Sequence, residues 1–115
     1  MAVNDTLLNI GANAMAAAAT HIAIHTAQPD AAGSNQSTAA RKAAGWATAA
    51  NGDIAISGTL AFTGGAASGP ATHVGFWSAL TGGTFYGWQA LTGDQAFNAA
   101  GEYNVTALTL AGSAS

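Results

Sequence analysis

The first nineteen residues carry apolar side chains at the spacing of a helix. Positions three and four residues apart share one helical face, and this face holds Leu7, Leu8, Gly11, Met15 and Ala18. Asn4 or Asp5 can cap the first turn through a side-chain oxygen. The pattern predicts a helix from Asn4 to Ala19. Because Gly11 weakens it by about 1 kcal/mol relative to alanine, we expect the helix to need a partner surface, and another subunit is a candidate.

After Thr20 the apolar period changes to two. In His21-Ile22-Ala23-Ile24-His25 the isoleucines share one face and the histidines share the other, which predicts a half-buried strand. The polar segment from Gln28 to Thr38 predicts a loop.

Two hairpins are predicted farther along the chain. Asn51-Gly52 favours the positive φ values of a two-residue turn and follows the apolar segment 46–50. Beyond this turn, Gly58 can bend an extended segment whose even positions point inward: Ile54, Ile56, Leu60 and Phe62. The second hairpin joins strands at 72–79 and 84–91 through Thr81-Gly82-Gly83.

The last predicted strand runs from Tyr103 to Leu110 and is rich in Val, Thr and Leu. Six or seven short strands after one helix indicate an all-β fold, an antiparallel β-sandwich or jelly-roll-like barrel. We predict a helical assembly segment at residues 1–19 and a single β-sandwich domain at residues 20–115.

Charged side chains are scarce, and this excludes several classes of protein. They make up 6% of the 115 residues, with a net charge of −3, whereas an average soluble domain has roughly 25%. Too few cations are present to grip phosphates, so nucleic acid is not an expected partner. Of the residues counted as hydrophobic, 31 are alanine and only 26 have larger apolar side chains. So sparse a core predicts an assembly subunit stabilised by neighbouring chains.

The absence of cysteine excludes disulfides, thiolate metal sites and cysteine nucleophiles. No apolar run approaches the roughly 18 residues of a membrane span, and the N-terminus lacks a basic segment. We therefore expect synthesis in the cytoplasm and no membrane partner.

Catalytic and metal chemistry find little support. On a strand, His21 and His25 are about 13 Å apart, too far for joint coordination of a metal. No Gly-x-Ser-x-Gly elbow occurs, and Asp residues fall mainly in turns, where they favour local hydrogen bonds. We predict no catalytic, metal-binding or cofactor-binding residues.

Aromatic and basic residues suggest contact surfaces instead. Phe76 and Trp77 are neighbours on one strand, so one of them faces away from the core, and the same holds for Phe85 and Tyr86. Arg41-Lys42 is the only basic site, which is either a solvated loop edge or an anchor for a partner's carboxylates. The predicted interface residues are Leu7, Leu8, Met15, Arg41, Lys42, Trp77, Tyr86 and Trp88.

From Thr20 onward the chain resembles the small virion proteins of tailed bacteriophages known as minor tail or tail-fibre-like proteins. The resemblance rests on turn and strand signatures, namely His25-Thr26-Ala27-Gln28-Pro29, Ala40-Arg41-Lys42-Ala43, Thr72-His73-Val74-Gly75-Phe76-Trp77, Gly82-Gly83-Thr84-Phe85, Ala90-Leu91-Thr92 and Thr106-Ala107-Leu108-Thr109-Leu110. It implies a structural role in the virion, other virion proteins as partners and no enzymatic activity.

The leading hypothesis is a homo-oligomeric, trimeric subunit of the phage tail or tail tip. A capsid decoration protein is the alternative within this class. A different class, a carbohydrate-binding module, would stack host glycans on Trp77 or Trp88. A small hydrolase ranks last and would lose turnover in His73→Ala.

Overall fold

A computed structural model describes residues 4–111 of the chain. Within this range the backbone forms one helix, α1 (Asp5–Ala18), and eight strands, all paired antiparallel. The strands are β1 (His21–His25), β2 (Lys42–Ala43), β3 (Asp53–Ala55), β4 (Leu60–Phe62), β5 (His73–Trp77), β6 (Phe85–Ala90), β7 (Tyr103–Val105) and β8 (Thr109–Ala111). The predicted all-β class with a single N-terminal helix is confirmed. The outermost residues of the two predicted segments, 1–3 and 112–115, lie outside the described residues.

Local hydrogen bonds fix both ends of helix α1. The Asn4 side-chain oxygen accepts a hydrogen bond from the Leu7 amide at 3.0 Å, which confirms the predicted cap. At the other end, the Ala19 amide donates to the Met15 carbonyl at 2.8 Å. The helix packs against β3 of its own chain, and the Gly52 amide donates to Asn9 at 2.8 Å. The same chain therefore supplies a surface that supports this weak helix.

The largest sheet has four strands in the order β2-β1-β5-β6. On its inner face, Ile22 lies opposite Phe76 and Ile24 opposite Val74, and all four side chains are buried. Alternation along the strands places the histidines and Trp77 on the outer face.

The predicted strand from Tyr103 to Leu110 is two strands, and this part of the prediction is wrong. β7 pairs with β4, while β8 pairs with β3. The chain between β3 and β4 turns at Gly58, and its partner breaks correspondingly at residues 106–108. The chain therefore forms two small sheets instead of one long two-stranded ribbon, because the partner strand must bend where the first strand bends.

Both predicted hairpins are confirmed. Asn51 and Gly52 have φ values of 55° and 81°, as a type I′ turn requires, and Ala50 and Asp53 exchange backbone hydrogen bonds at 3.0 and 2.9 Å. The second hairpin pairs β5 with β6.

The core lies between the inner face of the four-stranded sheet and the two small sheets. Phe62 from β4 and Val105 from β7 pack with the residues of β1 and β5 in one buried cluster. Of the four predicted inward positions, Ile54 and Phe62 are fully buried, and Ile56 and Leu60 are half-buried against the core. The parity of these positions is thus confirmed.

Candidate functional surface

The predicted interface residues fall into three groups by exposure. Leu7 and Tyr86 are each 54% exposed and Trp88 is 42% exposed, whereas Arg41 and Trp77 are each only 8% exposed. Leu8, Met15 and Lys42 are half-buried. Only the first group presents large apolar surfaces outward, and the buried pair contacts its own chain.

Arg41 is held by three hydrogen bonds within the chain. Its Nη1 donates to the carbonyls of Ala79 at 2.8 Å and Gly82 at 2.7 Å, and its Nε donates to Gln36 at 3.0 Å. The guanidinium lies 3.7 Å from the centre of the Trp77 ring, a cation–π contact. The structure fits neither interpretation of the basic site, a solvated loop edge or an anchor for a partner. Arg41 instead joins the loop between β1 and β2, the 26–41 loop, to the turn between β5 and β6.

The outer face of β1 and β5 is buried by that loop. His25 lies beside Trp77 with ring centres 6.2 Å apart and planes 5° from parallel, and Gly33 of the loop packs so close to Trp77 that a Cβ there would overlap the ring. The prediction of a half-buried β1 strand is therefore wrong, because both of its faces are covered. Gly75 makes the space, since a Cβ there would overlap His25 Nε2.

His25 is a buried, neutral hydrogen-bonding residue. Its Nδ1 contacts the Ser34 carbonyl at 2.8 Å and therefore carries the proton, which leaves Nε2 to accept from the Trp77 indole at 3.4 Å. Burial lowers the pKa of His25 below its usual 6.5, and the charges of Arg41 and His73 lower it further, while the bond to Ser34 opposes them. The imidazole ties the loop to the sheet.

The exposed aromatic residues lie on β6, the last strand of the sheet. The register with β5 shifts so that Phe76 opposes Gly87 but Trp77 opposes Phe85, which leaves Tyr86 as the extra residue of a β-bulge. Trp88 consequently lies over the outer face, with its ring edge-on to His73 at 5.2 Å. Strand alternation alone could not place Trp88, because nothing in the sequence marks the bulge.

The Tyr86 and Trp88 rings of this strand line two grooves. The first, the α1–β6 groove, has a volume of about 410 Å³, and its lining among residues 4–111 is apolar residues and glycine, including Met15, Ala18, Tyr86, Trp88 and Leu110. The Tyr86 and Trp88 side chains separate it from the second groove.

The second, the Asp30 groove, also measures about 410 Å³ and adds Pro29, Asp30 and Phe85 to the two aromatic rings. Hydrogen bonds from the amides of Ala32 and Ser34 hold the pKa of Asp30 below its usual value. The groove therefore combines aromatic surfaces with a carboxylate that stays ionised.

His25 and His73 are cross-strand neighbours on β1 and β5, and His21 lies at the other end of β1. His21 Nδ1 contacts its neighbour Thr20 at 2.9 Å and His73 Nδ1 contacts Thr72 at 2.8 Å. Among residues 4–111, no three His, Cys, Asp or Glu side chains are placed to hold a metal ion together. In the same part of the chain, no helix has the length and apolar character needed to cross a bilayer.

Comparison with known proteins identifies one family. The model of the family described as Podophage GP4 fiber I protein gp80 matches residues 2–113. A search of curated proteins finds no significant match.

Proposed function

The chain belongs to the Podophage GP4 fiber I protein gp80 family, and from this premise we propose that it is a non-enzymatic minor tail subunit that self-associates at the tail or tail tip. The family makes it a tail-fibre-like structural protein of the phage virion, associated with other virion proteins. The tail location, the self-association and the lack of catalysis are the parts that we propose.

The observation that carries this proposal is the apolar, nearly uncharged surface around β6. Tyr86 and Trp88 project from it, and on α1 Leu7 and Ile10 are 54% and 61% exposed. The exposed face of the helix carries one charge, Asp5. Large apolar side chains left in water at a surface with few charges are typical of protein–protein contacts.

Immunogold labelling of purified virions tests the location. We expect antibodies against this chain to label tails, and mass spectrometry to find the chain in particles purified by density gradient. Label on the heads would replace the tail proposal with capsid decoration. Absence from the purified particles would refute both locations.

A second candidate function, carbohydrate binding, is favoured by the Asp30 groove. Two exposed rings can stack on sugar faces, and an ionised carboxylate beside them can accept hydrogen bonds from hydroxyl groups. Trp77 cannot contribute, since it is buried beneath the 26–41 loop.

A glycan array tests this second function with two matched variants. Trp88→Ala removes a ring from the groove, and Leu80→Ala removes another exposed apolar side chain, which does not line it. Binding that is lost in the first variant and kept in the second would support glycan recognition. No binding by the unmodified protein would rule it out.

A further inference from the structure

The two edge strands of the four-stranded sheet, β2 and β6, differ in length and in chemistry. β2 has two residues, one of which is Lys42. β6 has six residues, Phe-Tyr-Gly-Trp-Gln-Ala, with no charge and no proline. Proteins protect sheet edges by shortness, lysine, proline or bulges. β2 has the first two protections, whereas β6 has only the bulge at Tyr86 and the positive φ of 152° at Gly87 next to it, which leave Trp88–Ala90 regular.

The hydrogen bonds of the sheet show which backbone groups of β6 point outward. The Leu91 amide donates to the Thr72 carbonyl at 2.9 Å. Because hydrogen-bonded pairs alternate along an antiparallel ladder, Gln89 and Gly87 also direct their backbone groups to β5. Trp88 and Ala90 therefore direct their N–H and C=O groups away from the sheet.

We propose that β6 pairs antiparallel with β6 of a second copy of this chain and joins two four-stranded sheets into one of eight strands. The inference rests on the proposed self-association and specifies its contact. When β6 of a second copy lies antiparallel to β6 of the first, each outward amide faces a carbonyl and each outward carbonyl faces an amide. The partial charges of the two edges are therefore complementary, and no other partner is needed.

The surroundings of β6 favour a second copy as the occupant. The α1–β6 groove runs beside the strand, so pairing also covers apolar surface from Met15, Tyr86 and Trp88. Among the described residues, no charged side chain lies in β6 or lines this groove; the carboxylates that border the strand are Asp30, in the second groove, and Asp94, in a pocket beside Gln89 and Ala90. The contact is two-fold and closes on itself, so it differs from the trimer expected from the sequence.

Two proline variants of the full chain test the contact. Ala90→Pro removes an outward amide from β6 while leaving the bonds to β5 in place. Its matched control is Ala43→Pro on β2. The bond from the Ala44 amide to the Thr20 carbonyl, 2.9 Å, makes the Ala43 amide point outward as well. Both alanines are exposed, and proline is tolerated at such edge positions.

Sedimentation velocity over a concentration series measures the association. We expect the unmodified chain to dimerise and Ala90→Pro to raise the dimer dissociation constant by roughly tenfold or more, because the two-fold axis makes each substitution act twice. Ala43→Pro should dimerise like the unmodified chain. Equal association of all three proteins would overturn the edge contact but leave self-association intact. A chain that stays monomeric would refute both.

Hydrogen exchange of the unmodified chain gives a second measurement that needs no variant. The amides of Trp88 and Ala90 should become protected as concentration rises, while the outward amide of Ala43 continues to exchange. Protection that appears instead only along α1 would assign the contact to the helix and overturn the proposal. Immunogold labelling of virions tests the tail location, and its outcome does not depend on the sedimentation or hydrogen-exchange results.

Discussion

Replacing Arg41 by methionine tests whether this one side chain holds the 26–41 loop against the sheet. The change removes the charge, the three hydrogen bonds to Ala79, Gly82 and Gln36, and the contact with Trp77, but it keeps much of the apolar stem. The loop would then be tied to the sheet by His25, by the bond from the Ser37 amide to the Ile24 carbonyl and by packing.

The magnitude follows from these contacts. Hydrogen bonds to a charged group contribute about 1.5–3 kcal/mol each, and a cation–π contact about 0.5–2 kcal/mol. Ala79 is half-buried and Gly82 exposed, so water can solvate their carbonyls after the substitution and recover part of the loss. We therefore expect Arg41→Met to lower the free energy of unfolding by about 3 kcal/mol, near 12 °C in melting temperature for a chain of this size.

Urea denaturation followed by tryptophan fluorescence measures the effect, at one fixed protein concentration because association also shifts apparent stability. Arg41→Lys keeps the charge but lacks the planar fork, so it should fall between the parent and Arg41→Met. The control is Lys42→Met, a half-buried neighbour, expected to change stability by less than about 0.5 kcal/mol. If Arg41→Met were no more destabilising than this control, the assigned role of Arg41 would be wrong.

Three further predictions concern the same fold. Gly75→Ala should destabilise the fold by about 2 kcal/mol or more, since the new Cβ would overlap His25. In the control, Gly58→Ala, the new Cβ meets no atom within 4 Å and should not destabilise the fold in this way. Comparable urea midpoints for the two variants would contradict the packing of His25 against Gly75. Because the pKa of His25 is lowered on folding, its contribution to the free energy of unfolding should be complete above pH 6.5 and decline as the pH falls toward the lowered pKa. Chemical denaturation at several pH values should show a weaker decline of stability for His25→Gln than for the parent. An unchanged dependence on pH would exclude His25 as the cause. Asn4→Ala should cost about 1 kcal/mol through the lost cap, measured against Thr6→Ala, an exposed residue two positions along.

Local chemistry made much of the fold predictable. Asn4 as a cap, Asn51-Gly52 as a turn and the even parity of Ile54 to Phe62 depend on near neighbours in the sequence, and the structure places each as expected. Such features are fixed within a few residues, so a pattern can identify them.

The outer face of the sheet was not predictable in the same way. Arg41 meets Trp77 only because residues 26–41 fold back over β1 and β5, and polar composition alone makes that loop look solvated. One signal was present in the sequence: Ala23 and Gly75 leave room for large rings beside His25. The bulge at Tyr86 left no such trace, because it arises from the register between two strands.

The pairing of β3 and β4 with β8 and β7 constrains when the molecule can fold. Ile54 pairs with Leu110, nearly half a chain away, and Phe62 pairs with Tyr103, more than a third of the chain away. During translation the central strands leave the ribosome long before the strands that complete their sheets, so the nascent polypeptide must wait with unpaired edges. Folding therefore cannot be completed before β8 has left the ribosome, and a polypeptide truncated before that strand would be unable to close its core.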